Sequence, residues 1–340
     1  MDPHQGAPMT VRKRHAPSLP TRRTYSHLEA LRKIPDDYDI ATSRLLYYVE
    51  GGFSVKATTS GWYEKYQRGA CLSCPDWDAF VDPRRTTYSR YVALERAREA
   101  QADGLLQALS QTGYDERLPG RWIEVLGRTL GPLRYPLHGL SMVASYIGSM
   151  APAGRIVIAA LFQSADEMRR IQRLTQRVVQ LGRNDSRFSD DARASWQGAP
   201  EWQPLRALVE KLLVTYDWAE AFVALNVCVK PVLDRIVTDG MGGEALSSGD
   251  SLLGGLLQNL GEDAAWHRAY TRALLTHAIA LAPENRAVVL RLVNDWMPRA
   301  VASVKPLAFA LGDFGEAAIE RAHTEATLDV DAILSSGLPS

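Results

Sequence analysis

Residues 154–182 read GRIVIAALFQSADEMRRIQRLTQRVVQLG, and the spacing within them decides the fold class. Ala160, Ser164, Glu167, Ile171, Leu174, Val178 and Leu181 recur at intervals of three and four, which places them along one stripe of an α-helix. A run of that length is far beyond any strand. The same period extends outward in both directions. It predicts further helices at 86–109, 115–150, 202–238, 250–258, 262–281 and 284–306, with Asp185, Ser186, Pro200, Gly240, Gly242, Gly243 and Pro283 as punctuation. No stretch sustains a two-residue alternation. The class is all-α, and helices this long imply an extended bundle.

Around the helical domain (86–309) lie three segments of different character. Residues 1–23 form a basic, proline-rich arm, read as flexible. No apolar core follows it, so it is neither a signal peptide nor a twin-arginine leader despite Arg22 and Arg23. Residues 24–85 lack sustained period and are rich in tyrosine, tryptophan, glycine and proline. Such a segment has no core of its own and is read as an extended docking segment, lying on the body of the same subunit or on a partner. Aromatic and arginine side chains are the common anchors of interfaces. Tyr25, His27, Tyr38, Trp62, Tyr63, Trp77, Phe80, Arg84, Arg85, Tyr88 and Tyr91 are therefore the candidate interface residues. Residues 310–340 are expected to form one short helix and a loose tail.

The 340 residues are 46% hydrophobic, and 39 basic side chains balance 39 acidic ones. A neutral chain lacks the field that recruits nucleic acids or anionic membranes, and mildly favours life in a complex. No apolar run approaches the roughly 20 residues that span a bilayer, so a cytoplasmic location is expected. Three cysteines do not make a disulfide framework. Cys71 and Cys74 form a C-x-x-C pair, but zinc needs about four donors and the third cysteine, Cys228, is distant and helical. A redox dithiol would sit in a βαβ context. Structural cysteines are the expectation, with a zinc or redox module as the rival.

Phosphate-binding loops, dinucleotide fingerprints and nucleophile elbows are absent from the sequence. In a helical bundle, inward Glu-x-x-His pairs are the signature of a di-iron carboxylate centre. The one such pair is Glu320 and His323, in the C-terminal tail, where a solvated helix face is the simpler reading. His138, His267 and His277 fall in predicted helices and are read as hydrogen-bonded histidines rather than ligands.

Several long strings carry a resemblance. RTYSHLEALRKIPDDYDI (23–40), DWDAFVDP (76–83), PLRYPLHGLSM (132–142), SYIGSMAPA (145–153), PEWQPLRALVEKLLVTYDWAEAFVALNVCVKP (200–231) and HRAYTRALLTHA (267–278) resemble the β subunits of bacterial multicomponent di-iron monooxygenase hydroxylases, nearest the toluene and alkene group. The resemblance implies a ferritin-like bundle that is a diverged copy of the iron-bearing α subunit. The α pattern is a Glu, an Asp-Glu-x-Arg-His, a second lone Glu and a second Asp-Glu-x-Arg-His. Matched to it, Glu167, Glu220 and His267 survive as possible ligands, whereas Ser145, Arg170 and Ala264 stand where ligands belong. On this matching the chain holds no catalytic, cofactor-binding or metal-binding residue of its own, and Arg170 is expected to neutralise Glu167 or Glu220.

The resemblance further implies an (αβγ)2 hydroxylase with the di-iron site in α. Its partners would be the α and γ subunits and a second αβγ protomer. An effector protein, a Rieske-type ferredoxin and an NADH reductase would bind transiently. The implied reaction is hydroxylation of aromatic hydrocarbons or epoxidation of alkenes with O2 and NADH. The alternative is a ferritin-like chain with a residual mononuclear iron site of its own.

Overall fold

The structure, a computed structural model, describes residues 36–42, 58–110, 113–183, 185, 188 and 192–335, and every element among them is helical. Helix α1 (Asp37–Thr42) and α2 (Thr58–Tyr63, prolonged by a wide π turn at Glu64–Arg68) precede a loop and α3 (Tyr88–Ser110). Next come α4 (Gly120–Thr129), α5 (Arg134–Met150) and α6 (Gly154–Leu181). The short α7 (Ala192–Gly198) and α8 (Gln203–Leu213) lead to α9, a continuous rod over 218–247. Within α9, π turns at Ala224–Val229 and Ile236–Met241 flank the α-helical Lys230–Arg235. Helices α10 (Ser251–Leu281), α11 (Asn285–Ala310) and α12 (Gly312–Ser335) complete the chain.

Helices α5, α6, α9 and α10 form the central bundle, with α3 on the α6/α10 side and α11 and α12 against α9. One hydrophobic cluster runs from Leu72 to Ile333 and includes the fully buried Trp122, Trp202, Trp218 and Trp296. The core is therefore shared from the loop after α2 to the last helix.

Four boundaries differ from the sequence expectation, the first being that α9 runs through Gly240, Gly242 and Gly243 to 247 instead of ending at 238. The helix expected over 115–150 is two, because Pro132 supplies no N–H and the chain turns between α4 and α5. The helix expected over 202–238 breaks at Val214 and restarts at Trp218, where the Asp217 side chain caps the backbone of Ala219 and Glu220 at 2.9 and 3.1 Å. Conversely, the two helices expected at 250–258 and 262–281 are one. Gly261 does not break it; a Cβ there would lie 2.8 Å from Thr238 Cγ2, so the glycine lets α10 approach α9.

The C-terminal expectation also changes. Residues 312–335 form a six-turn helix that buries Ala318, Ala322, Ala326, Val330 and Ile333. It follows α11 through Gly312, whose φ of +59° suits glycine. The tail is thus part of the bundle. Its outer side carries Glu320 and His323, both exposed, as a solvated pair would be.

The described parts of the segment 24–85 pack on the body of this subunit. Arg155, at the start of α6, holds them. Its guanidinium donates to Asp39 Oδ1 at 3.0 Å and to the Asp78 and Phe80 carbonyls at 3.2 Å. Arg85 adds an ion pair to Asp36 at 2.6 Å. The loop carrying Cys71 and Cys74 is held by Asp217, which accepts from Cys71 N at 2.7 Å, and by Asn285, which accepts from Ser73 N at 3.0 Å.

Candidate metal centre

The positions singled out by the α pattern lie on α5, α6, α9 and α10, and α6 carries the densest chemistry. Asp166, Glu167, Arg169, Arg170, Arg173 and Arg177 all point inward from it. Buried charges of this kind persist only when paired. Glu167 accepts from Lys230 Nζ through Oε1 and from Arg170 Nη1 through Oε2, the latter at 3.5 Å. Arg170 Nη1 also donates to Asp234 Oδ1 at 2.6 Å, and Lys230 Nζ reaches Asp234 Oδ2 at 3.0 Å. Two acids and two bases close a neutral, buried ring between α6 and α9.

Burial alone would raise both carboxyls. The ammonium of Lys230 and the guanidinium of Arg170 outweigh it and hold Glu167 below its ordinary value. Asp234 is likewise held below its ordinary value by Arg170 and Lys230. Both acids are ionised, and both are already saturated by cations.

A second cluster lies on the other side of Glu167's helix. Glu95, Asp166 and Asp263 bring carboxylate oxygens within 4.8 Å of one another, close enough in principle to share a cation. Guanidinium groups cover them instead. Arg98 pairs with Glu95 at 3.0 Å and also with Asp263; Arg169 pairs with Asp263 at 3.1 Å; Arg84 pairs with Glu95 at 3.3 Å. Burial, then the neighbouring Asp263 and Asp166, raises Glu95 to about 7. Asp166 accepts from Tyr91 Oη at 2.7 Å and lies 2.9 Å from His267 Nε2. Burial pushes Asp166 up to about 6 and His267 down to about 3. The imidazole is neutral at pH 7, with Nε2–H donated to the carboxylate.

The expected ligand positions therefore separate. Glu167, Arg170 and His267 are buried in the bundle, and Arg170 does pair with Glu167, as the sequence suggested. Ser145 bonds Ser164 at 2.7 Å between α5 and α6. Ala264 is buried beside a groove of about 610 Å³, lined also by Asp234 and Thr238. Glu220 belongs elsewhere: it is half-buried and accepts from Trp296 Nε1 at 3.2 Å. Its expected place beside Arg170 is taken by Lys230 and Asp234. These two were missed, although an i, i+4 base and acid inside the apolar run VALNVCVKPVLDRIV (223–237) was a visible signal.

The interface candidates separate as well. Tyr38, Phe80 and Tyr91 are buried within this subunit, at 2%, 1% and 8% exposure, and cannot anchor a partner. Trp77 packs edge-on to Trp218, Arg84 lies over the Trp266 ring at 4.5 Å, and Arg85 lies over Tyr38 at 5.2 Å. Trp62, Tyr63 and Tyr88 are exposed. Tyr25, His27 and the arm 1–23 lie outside the described residues. Cys71 and Cys74 are free thiols; burial and then Asp217 push Cys71 up to about 12, which is opposite to an activated thiolate. Of the other histidines, His138 is exposed, and His277 bonds the Asp76 carbonyl at 2.8 Å.

A pH test follows from His267. Its folded pKa lies below its unfolded one, so the unfolded chain takes up a proton that the native chain refuses. Its penalty is absent above about 6.5 and grows as pH falls toward 3. His267→Gln keeps a donor toward Asp166 and removes the titration. Urea unfolding at pH 7, 5 and 4 is expected to show the variant gaining on the wild type by up to about 1.4 kcal/mol per pH unit. A pH-independent gap would show that the imidazole titrates in the native chain as it does in the unfolded one.

Comparison with known proteins places this architecture. Residues 60–281 match the family described as Methane/Phenol/Alkene Hydroxylase. The chain is 32% identical over 285 residues to the toluene-4-monooxygenase hydroxylase component subunit beta of Ectopseudomonas mendocina, covering 82% of this chain and 87% of that protein. It is 26% identical over 302 residues to the phenol 2-monooxygenase oxygenase component DmpL of Pseudomonas sp. strain CF600, covering 85% and 88%. A solved structure of toluene 4-monooxygenase, with toluene bound in its resting active site, superposes with a TM-score of 0.80 and 31% identity, over 86% of this chain and 98% of that one. The chain belongs to the methane/phenol/alkene hydroxylase family, and its all-helical bundle is the fold of that family's hydroxylase subunits.

Proposed function

We propose that this chain is the scaffolding β subunit of a monooxygenase hydroxylase, and that oxygen chemistry takes place at a di-iron centre in a partner α subunit. The observation that carries this reading is the occupation of Glu167 by Lys230 and Arg170. Iron in that position would have to displace two buried cations while gaining one carboxylate and the His267 imidazole. The donors present do not fit a di-iron site, and the acids Glu95, Asp166 and Asp263 are spoken for by three guanidiniums. The complex would be (αβγ)2, working with an effector protein, a Rieske-type ferredoxin and an NADH reductase. Its substrates would be aromatic hydrocarbons or alkenes, and its setting the cytoplasm. No helix among the described residues is long and apolar enough to cross a membrane.

Iron analysis of the purified complex tests the proposal. Glu167→Gln in this chain is expected to leave iron per complex unchanged, and the isolated chain is expected to bind none stoichiometrically. Stoichiometric iron in the isolated chain, lost with Glu167→Gln, would establish the rival mononuclear site.

A further inference from the structure

The groove of about 610 Å³ beside Ala264 runs between α9, α10 and α12, and its volume is that of a small-molecule site. Helices α9 and α10 are joined by the turn at 248–250 and run antiparallel, so residue order sets the groove's two ends. Leu246 and Gly254 lie at the turn end. Asp234 and Arg268 lie at the other, roughly 20 Å away at about 1.5 Å per residue. The turn end is apolar. Leu246 is 60% exposed, and Phe314, from α12, is 38% exposed. Both are seated on bare backbone: a Cβ on Gly254 would come within 2.6 Å of Leu246, and one on Gly243 within 2.5 Å of Phe314. The two glycines thus give exposed apolar side chains fixed places along the wall.

The other end carries cationic capacity that the chain itself does not use. Arg268 has no hydrogen bond or ion pair among the described residues. Arg321, about two turns along α12 from Phe314, donates its Nε to Asp239 at 3.1 Å, and its terminal nitrogens have no partner among those residues. The nearby acids are already matched. Asp239 also accepts from Arg235 at 3.1 Å, and Arg235 pairs with Glu325. Asp234 belongs to the four-charge ring, and Glu262 faces Arg98 at 3.5 Å. Three guanidiniums (Arg235, Arg268, Arg321) against two carboxylates (Asp239, Glu325) leave one positive charge in the groove.

We infer that this groove binds an aliphatic carboxylate, its head on Arg268 and Arg321 and its chain on Leu246 and Phe314. A guanidinium fork matches the planar carboxylate and stays charged at every pH of interest. One negative charge balances the single positive excess, whereas a cation would add to it. An extended chain suits a groove that is long and becomes apolar away from its charged end. The site goes beyond the function proposed above, which needs no ligand in this chain.

Titration calorimetry with decanoate tests it, on the full chain alone and on the chain as purified with its natural partners. One decanoate per chain is expected, with a Kd on the order of 0.1 mM. Decyltrimethylammonium, with the same chain and the opposite charge, is expected to bind at least about 10-fold more weakly. Arg268→Gln is expected to weaken decanoate binding by about 10-fold and to leave the melting temperature of the unliganded chain unchanged, because Arg268 holds no partner. Leu246→Glu, at an exposed position, places a carboxylate on the apolar wall and is expected to weaken binding by at least as much. Leu328→Glu, exposed on α12, serves as the control and should bind as wild type does. Equal affinity for the two probes, or undiminished binding by both groove variants, would reduce the effect to apolar adsorption and overturn the site. Absence of binding at millimolar decanoate would overturn it as well. Binding by the isolated chain that disappears in the complex would make the groove a contact between subunits, against the inference.

Discussion

Arg170→Leu is expected to lower the stability of this chain by about 3–5 kcal/mol at pH 7. The guanidinium is buried and shared between Asp234 at 2.6 Å and Glu167 at 3.5 Å. Without it, two buried carboxylates face the single ammonium of Lys230, and one negative charge has neither water nor partner. Denaturant unfolding of the full chain measures the loss. The double variant Arg170→Leu, Asp234→Leu removes one acid with one base and leaves the Glu167–Lys230 pair intact, so most of the loss should return. The pH dependence has a definite sign. Glu167 and Asp234 are held below their ordinary values, so their contribution is complete above about pH 4 and is lost as pH falls through their folded values. The gap between wild type and Arg170→Leu should therefore narrow in acid. A gap below 1 kcal/mol at pH 7 would place Arg170 in contact with water.

Asp250→Ala is expected to cost about 2–4 kcal/mol, summing a lost cap and charged hydrogen bonds. Asp250 caps the 31-residue α10, accepting from Leu253 N at 3.0 Å. The same carboxylate accepts from Trp122 Nε1 at 3.0 Å and lies 3.8 Å from the buried guanidinium of Arg177. One side chain thus starts a helix, fixes a core tryptophan and balances a buried cation. Asp250→Asn retains the cap and one acceptor but not the charge, and should fall between the two. Thermal unfolding of the three forms separates the capping part from the electrostatic part. Equal stability of the alanine and asparagine variants would show that the cap contributes nothing.

The fold class was legible because burial imposes its period on the sequence. The stripe from Ala160 to Leu181 is buried on α6 except at Ile171, which is half-exposed, whereas the end of α9 was misread, because Gly240, Gly242 and Gly243 look like punctuation and the rod runs through them to 247. What misled was local chemistry whose meaning depends on a neighbour. Gly261 reads as a breaker until Thr238 is seen against it, and Gly131–Pro132 reads as a tolerable interruption until the chain turns there. In the candidate site, Glu167, Arg170 and His267 were legible from the spacing of a shared pattern. Glu220 was not correctly placed, because a lone acid carries no spacing to check, and only the fold shows it beside Trp296. Lys230 and Asp234 went unread for the opposite reason: they match no ligand pattern, and although their i, i+4 spacing marks an ion pair, its place in the ring arises only when α9 is laid against α6. The aromatic segment before α3 was legible as adhesive, but the sequence carries no mark of whether its own bundle or another chain is the surface.

The four-charge ring between α6 and α9 also bears on the history of the chain. On the reading proposed above, a metal site was replaced by ion pairs, and such a replacement is hard to reverse. Restoring histidine at Arg170 alone leaves an unbalanced carboxylate, and removing Lys230 alone does the same, while neither change by itself supplies enough ligands to hold iron. Each first step toward recovery is therefore selected against before any later step can help. Neutral drift can exchange the aliphatic residues around the ring freely, but the ring itself changes only in matched pairs. The interior works as an evolutionary ratchet, which fixes the division of labour between a chain that reacts and a chain that supports it.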